Sequence, residues 1–353
     1  MPTTPHILVK PQKLIATAVG MLSDELIIPQ LFQKESIDKF KGAENDTVNV
    51  PVEGVLPFRD YAFRNDRTSP IEFDSITERK IPVSFGGNVY SAVKLTDEQY
   101  DFDLNGWSDV LRPQVKAVAR GLGRRAVNTL TNQAYNVTIG NAGVNLRGAL
   151  IEARAVLNKF HAPTENRYML VGSSFEAALL EVDKLVLASS VGDDRASAAV
   201  TNATLGQLFG FKIIVDLTIP ADAAYAFASS GFIFVSGAPA VSASVPFGAT
   251  TSFENIALRW VRDYDPTYMQ DRSVVNTYAG FRSVTDVLVR WDNGANSEVV
   301  STGEHFVRGI KLLLDGASDY PAAASELAIF TGVSDASVWT PVGRKAETDP
   351  ANA

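Results

Sequence analysis

The run Ser108-Asp-Val-Leu-Arg-Pro-Gln-Val-Lys-Ala-Val-Ala-Arg-Gly-Leu-Gly-Arg-Arg-Ala-Val-Asn-Thr-Leu-Thr-Asn132 decides how the rest of the chain is read. Leu111, Val115, Val118, Leu122 and Ala126 recur at helical spacing and make one apolar stripe. Arg112, Lys116, Arg120 and Arg124 follow at four-residue steps. At about 100° per residue they drift only about 40° per step, so a basic stripe runs beside the apolar one. Pro113 falls in the first turn, where its missing N–H leaves no helix bond unmade. A long helix is therefore predicted over Ser108 to Asn132. Its basic stripe reads either as a solvated face paired with acidic neighbours or as a face turned towards phosphates.

Upstream, Phe58 to Lys80 is dense in charge. Arg59, Arg64, Arg67, Arg79 and Lys80 stand against Asp60, Asp66, Glu72, Asp74 and Glu78, so the two signs nearly cancel. Ile81 to Phe85 and Val89 to Val93 then flank Gly86-Gly87-Asn88, a turn signal that predicts a β-hairpin. Such a hairpin is either solvated or projects to form ion pairs with another subunit. Balanced charge suits the second role, because a single-sign loop would repel its symmetry copies. The first fifty residues look like an arm. Leu14, Ile15, Ala18 and Met21 share a helical face, Pro29 breaks the apolar run from Leu26 to Phe32, and Val48, Val50 and Val52 alternate as in a half-buried strand. These pieces are too short to enclose a core and must lie on the rest of the chain or on a neighbouring copy.

Downstream comes a mixed α/β region. Leu146 to Phe160 is a second amphipathic helix behind a cap at Asn145. Arg167 to Val171 is a strand, and Ser173 or Ser174 caps a short helix to Glu181. Val186 to Thr204 reads as a long loop, and Lys212 to Asp216, Ala224 to Phe227 and Phe232 to Val235 read as strands. Ile256 to Val261 and Ser273 to Phe281 follow as strands, with a turn at Arg262 to Pro266. Val287 to Trp291 and Glu298 to Ser301 flank Asp292-Asn293-Gly294, a second hairpin signal onto which Gly303 to Leu314 would pair. The tail from Gly343 is polar.

Composition narrows the function. Of 353 residues, 46% are hydrophobic and 20% charged, the balance of a globular chain. There is no cysteine, which excludes disulfides, thiolate metal sites and cysteine nucleophiles. Lys plus Arg number 32 against 40 Asp plus Glu, a formal net charge of −8, which argues against gripping nucleic acid as the main task. Residues 1–13 lack signal-peptide character. The uncharged stretch from Ala223 to Phe253 is too rich in Gly, Pro and Ser for a bilayer helix, so a soluble chain made in a cytoplasm is expected, with no membrane partner.

Chemistry is sparse. His6, His161 and His305 carry no metal-ligand spacing and no nucleophile elbow is present, so no catalytic residue, cofactor or metal is assigned. Asp101-Phe-Asp103 and Asp263-Tyr-Asp265 are triplets that can hold a divalent cation with phosphates. Asp is also favoured at the strand ends and turns where both sit. A soluble α/β enzyme built on an Asp-x-Asp site is the alternative from a different class.

The order of arm, charged hairpin, long helix, mixed insertion and returning strands resembles the major capsid proteins of tailed bacteriophages, the Hong Kong 97 type fold. Phe58-Arg-Asp-Tyr-Ala-Phe-Arg-Asn-Asp-Arg-Thr-Ser-Pro70 and Glu78-Arg-Lys-Ile-Pro-Val-Ser-Phe85 are similar to the E-loop of coat proteins from phages of actinobacteria. Ala238-Pro-Ala-Val241, Asp263-Tyr-Asp-Pro266 and Ser273-Val-Val-Asn-Thr-Tyr-Ala-Gly280 are similar to their return from axial to peripheral domain.

The resemblance implies an α+β capsid fold. It places an N-terminal arm at 1–57, an E-loop hairpin at 58–103, the spine helix with peripheral domain at 104–139, an axial domain at 140–254, peripheral return strands at 255–290 and a β-rich C-terminal extension at 291–353. It implies a non-catalytic protein that assembles as pentamers and hexamers around double-stranded DNA. Implied partners are the chain itself, a separate scaffolding protein, a portal protein, the packaged DNA and decoration proteins. The E-loop charges would then be inter-subunit contacts, and Arg112, Lys116, Arg120 and Arg124 a lumen-facing stripe. An encapsulin, a shell of the same fold that holds enzymes, is the nearest alternative.

Overall fold

The protein is described from a computed structural model, which covers residues 11–36, 47–52, 55–59, 70–71, 73–74, 79–99, 107–182, 206–245, 247–253, 255–294 and 297–334. Two compact units share the chain. The first takes residues 1–50, 82–129 and 232–282, and the second takes 51–81, 130–231 and 283–353.

The first unit is built on a seven-stranded sheet. Numbered in chain order, its strands are β1 (Gln33–Ser36), β2 (Thr47–Val52), β3 (Arg79–Thr96), β9 (Phe232–Gly237), β10 (Phe247–Phe253), β11 (Ile256–Asp265) and β12 (Gln270–Ser283). β12 runs antiparallel to both β11 and β3, β10 is antiparallel to β11, and β1 lies parallel to β9. Helix α3 (Trp107–Thr131) forms where its periodicity predicts. Leu111, Val115, Val118, Leu122 and Ala126 are all buried, and Ala119 and Val127 widen the stripe. Trp260 is fully buried, and its ring lies 6.4 Å from Trp107 and 5.4 Å from Phe247.

In this unit the arm takes one of its two expected places, and several other expectations change. The arm helix α1 (Pro11–Glu25) packs on β10 and β11 of its own chain, so this part of the leading segment is covered without a neighbour. Its buried face is Ile15, Ala18, Val19 and Leu22, while Met21 is half-exposed. The helix is apolar on more than one side, and the sheet selects the face. A short helix α2 (Ile28–Leu31) follows, with Pro29 in its first turn. The hairpin expected at Gly86-Gly87-Asn88 does not form, because β3 runs unbroken for 18 residues. Those residues sit at a β-bulge, where the register with β12 shifts between Tyr278 and Gly280. Gly87 has φ +98°, a conformation that side-chain-bearing residues avoid, so the glycines serve the bulge and not a reversal. The strand from Ile256 also runs on to Asp265, beyond the turn expected from Arg262 to Pro266. Cross-strand ion pairs hold the acidic residues there in the ladder.

The second unit has a six-stranded sheet in the order β4-β15-β8-β5-β7-β6. Its strands are β4 (Thr138–Ile139), β5 (Arg167–Val171), β6 (Gln207–Leu208), β7 (Phe211–Val215), β8 (Ala223–Ala228) and β15 (Gly309–Leu313). Helices α4 (Leu146–Lys159) and α5 (Ser173–Glu181) contribute Leu150, Leu157, Phe175 and Leu179 to a core shared with Met169, Phe211, Ile310 and Leu312. Asn145 caps α4 as expected, its Oδ1 accepting from the Gly148 N–H at 2.7 Å. Neither Ser173 nor Ser174 caps α5. The Ala221 carbonyl accepts from the Ser174 and Phe175 N–H groups at 3.0 Å instead. This close approach requires Gly172, where an added Cβ would fall 2.2 Å from the Pro220 carbonyl oxygen.

The C-terminal residues are structural members of this unit. β15 is an interior strand, antiparallel to β8 and parallel to β4, and does not join the hairpin β13 (Val289–Asp292) and β14 (Ser297–Val300). Every residue of β8 is buried, so it needs a strand on each side, and only β15 supplies the second. Conversely, β9 and β10 belong to the first unit's sheet, so residues 232–253 leave the segment read as axial. A further helix, α6 (Glu326–Thr331), is capped by Ser325, whose Oγ accepts from Ala328 N–H at 3.2 Å. The loop expected from Val186 to Thr204 and the tail from Gly343 lie outside the described residues.

Candidate assembly interface

The spine helix is locked to the sheet by a buried polar knot. Gln114 lies on the buried face of α3 and is 1% exposed. Its Nε2 donates to the carbonyls of Ser91 on β3 at 3.2 Å and Ser273 on β12 at 3.0 Å. Its Oε1 accepts from Ser273 Oγ at 2.8 Å, and that same oxygen accepts from Trp260 Nε1 at 2.9 Å. Helix, loop strand and return strands are thus fixed through one amide. Nearby, Arg125 donates to the Gly87 carbonyl at 3.0 Å, holding the bulge from the helix side.

On the opposite face of α3, Arg112, Lys116, Arg120 and Arg124 are all exposed. Arg112, Arg120 and Arg124 make no ion pair with any described residue. The four-residue spacing is therefore realised as a continuous positive strip on the surface of its unit.

The charged loop is described only in part. Asp60, Arg64, Asp66, Arg67, Glu72 and Glu78 lie outside the described residues. Arg59 and Asp74 form a bidentate pair within the chain, one arm of which is 2.9 Å, and it holds the Asp74 carboxyl below the ordinary range. Arg79 pairs with Glu304 at 2.5 Å. Lys80 is exposed, and among the described residues it makes no ion pair. Arg59, Asp74 and Arg79 thus find partners inside their own chain, which sequence spacing does not reveal.

Of the residues screened for chemistry, Asp263, Asp265 and His305 are held in contacts within the chain. Asp263 and Asp265 both pair with Arg272, at 3.0 and 3.4 Å, so this Asp-x-Asp triplet is tied to a cross-strand cation. Asp101 and Asp103 lie outside the described residues. His161 is exposed. His305 Nε2 lies 3.2 Å from Glu326, which also accepts from Thr302 N–H, Thr302 Oγ1 and Gly303 N–H. The Thr302 donors chiefly hold the Glu326 carboxyl down at about 2. Among the described residues, no group of three or more His, Cys, Asp and Glu is placed to hold a metal ion. No described helix is long and apolar enough to cross a membrane.

The family model for phage capsid protein matches residues 90–277, more than half of the chain and the part that carries α3 and both flanks of the polar knot. The chain belongs to the phage capsid protein family. Among curated proteins, none matches the sequence. Among solved structures, this capsid protein is similar to a chain of Mycobacterium phage Che8, with a TM-score of 0.54 at 14% identity over 83% of this chain and 92% of that one. It is similar to a chain in the capsid of Cyanophage P-SCSP1u, with a TM-score of 0.53 at 12% identity over 80% and 89%. A chain of the mature capsid of bacteriophage PhiM1 gives 0.53 at 10% identity over 82% and 86%. These likenesses establish the fold, an α+β capsid fold of Hong Kong 97 type. As a member of this family it is a component of a bacteriophage capsid.

Proposed function

We propose that the chain assembles as pentamers and hexamers into a closed shell around double-stranded DNA and performs no catalytic step. The observation that carries this reading is the exposed strip Arg112, Lys116, Arg120 and Arg124 on a chain of net charge −8. A container wall of low affinity lets DNA fill it without sticking, and a narrow positive strip facing the lumen moderates the repulsion locally. The contacts are to phosphates and carry no sequence preference.

The loop charges Asp60, Arg64, Asp66, Arg67, Glu72, Glu78 and Lys80 pair with neighbouring copies in this reading. Each such pair is weak alone, and their repetition around a closed surface gives them weight. Assembly takes place in the bacterial cytoplasm with a separate scaffolding protein and a portal protein, and decoration proteins bind the finished shell.

Expression with and without a scaffold, followed by negative-stain microscopy and nuclease digestion, tests the proposal. The expected result is shells whose DNA resists nuclease. Particles filled with a cargo protein would make the chain an encapsulin. A monomer that binds divalent metal would return it to the soluble enzymes. Uniform shells from the chain alone would remove the scaffold.

A further inference from the structure

The segment 60–78 is flanked by two described legs, 55–59 and 79–81, and both are gripped by residues between 285 and 304. On the first leg, the Phe58 carbonyl accepts from Glu298 N–H at 3.0 Å, and Phe58 N–H donates to the Glu298 carboxylate at 3.1 Å. Arg59 forms an antiparallel bridge with Ser297. The Phe58 ring stacks on Trp291 with centroids 5.1 Å apart. The leg is in effect a third strand on the hairpin β13–β14. On the second leg, Arg79 pairs with Glu304 at 2.5 Å and donates to the Thr285 carbonyl at 3.4 Å. Thr285 Oγ1 donates to the same Glu304 carboxylate at 2.6 Å, which with Arg79 holds that carboxyl below its ordinary range.

The clasp is itself anchored. Asp286 and His305 exchange backbone hydrogen bonds at 2.8 and 2.9 Å, and Arg308 holds Asp286 through two contacts of 2.5 and 2.6 Å. Glu326 ties Thr302, Gly303 and His305 to α6. Two independent grips, one aromatic and strand-like and one ionic, therefore bear on the two ends of the segment 60–78.

We propose that residues 285–294 and 297–304 form a clasp that fixes both ends of the segment 60–78, and so sets the orientation in which that segment meets a second copy of this chain. The orienting role rests on the shell reading, whereas the grip on the legs stands apart from it.

Hydrogen exchange on the unassembled full-length chain reads the grip, and microscopy of assembly reactions reads the orientation. Trp291→Ala is expected to raise exchange at residues 55–59 by up to about tenfold, given the strength of an aromatic pair. Exchange in β8 would not change. Glu304→Gln is expected to raise exchange at 79–81, and the swap Arg79→Glu with Glu304→Arg to restore it. Both loosened variants are expected to give misshapen or open particles. Unchanged exchange at both legs overturns the clasp. Loosened legs with wild-type shells overturn its orienting role. Loosened legs in a chain whose wild type never forms particles support the grip and overturn the shell reading. If Trp291→Ala loses protection in β8 it has unfolded, and the Glu304 variants carry the test.

Discussion

The Gln114 side chain on the spine helix accepts from Ser273 Oγ at 2.8 Å, across 159 residues of sequence, while its amide donates to the Ser273 carbonyl at 3.0 Å. This two-way exchange is shared with Trp260 and Ser91, so each member has its hydrogen-bonding needs met by the others. Replacing Gln114 by Ala leaves buried donors and acceptors on both sheet strands without a partner. The expected loss is about 1–3 kcal/mol per group left unsatisfied. Urea unfolding of the unassembled chain would measure it. Ser273→Ala should lose less, and the double variant should fall short of the sum, because the two residues share one network.

Acid should release the C-terminal segment in a defined window. The Glu326 carboxyl titrates at about 2 in the folded protein, below the value of about 4.3 usual for Glu. Its folded pKa is depressed, so its contribution to stability is present above the unfolded pKa and is lost as pH falls towards 2. Glu326→Gln should remove this part of the pH dependence. The melting temperature of the variant would then fall less steeply than that of the wild type between pH 4.5 and 2, and parallel curves would refute the assignment.

Arg167 is 5% exposed and closes the C-terminal end of α4. It donates to Pro163 and Ala162 carbonyls at 2.7 and 2.8 Å and to Asn158 Oδ1 at 2.8 Å. Burial, and then the charge of Arg154, lowers its pKa. A lysine cannot place donors on three acceptors in one plane. Arg167→Lys should cost about 1.5–3 kcal/mol, the range for a hydrogen bond to a charged group, measured by denaturant unfolding.

Gly87 joins a φ of +98° to a carbonyl that accepts from Arg125. Gly87→Val should destabilise the chain by about 1–3 kcal/mol through backbone strain. The melting temperature would fall, and exchange at the neighbouring β3 amides would rise.

Removing charge from the basic strip should separate folding from packaging. Arg112, Lys116 and Arg120 are exposed, so changing all three to Gln should leave the melting temperature within a few degrees. DNA retention or shell yield should fall. Full, stable particles at normal yield from this variant would remove the strip's role.

Some of this architecture was legible in consecutive residues. The two stripes of α3 and the Asn145 cap are local patterns, and the structure keeps both. The face of α1 was not legible, because Met21 looks as apolar as Val19 and Leu22 until β10 and β11 choose between them. Gly86-Gly87-Asn88 carries a turn signature, but β12 alongside β3 makes a bulge the better outcome. Gln114 looks like any polar helix residue, and nothing near it in sequence announces Ser91, Trp260 or Ser273.

The sequence by itself determined the long helix with its buried and basic sides, the chain order of a capsid subunit, and the absence of cysteine chemistry. Only the tertiary structure decided that β15 fills the sheet beside β8, that Arg59 and Arg79 are satisfied within the chain, and that Gln114 is the bolt between helix and sheet. Helical period is fixed by neighbours three and four residues apart, so it survives in a linear text. Strand pairing and ion-pair choice join residues far apart in sequence, and their partners exist only once the chain has closed on itself.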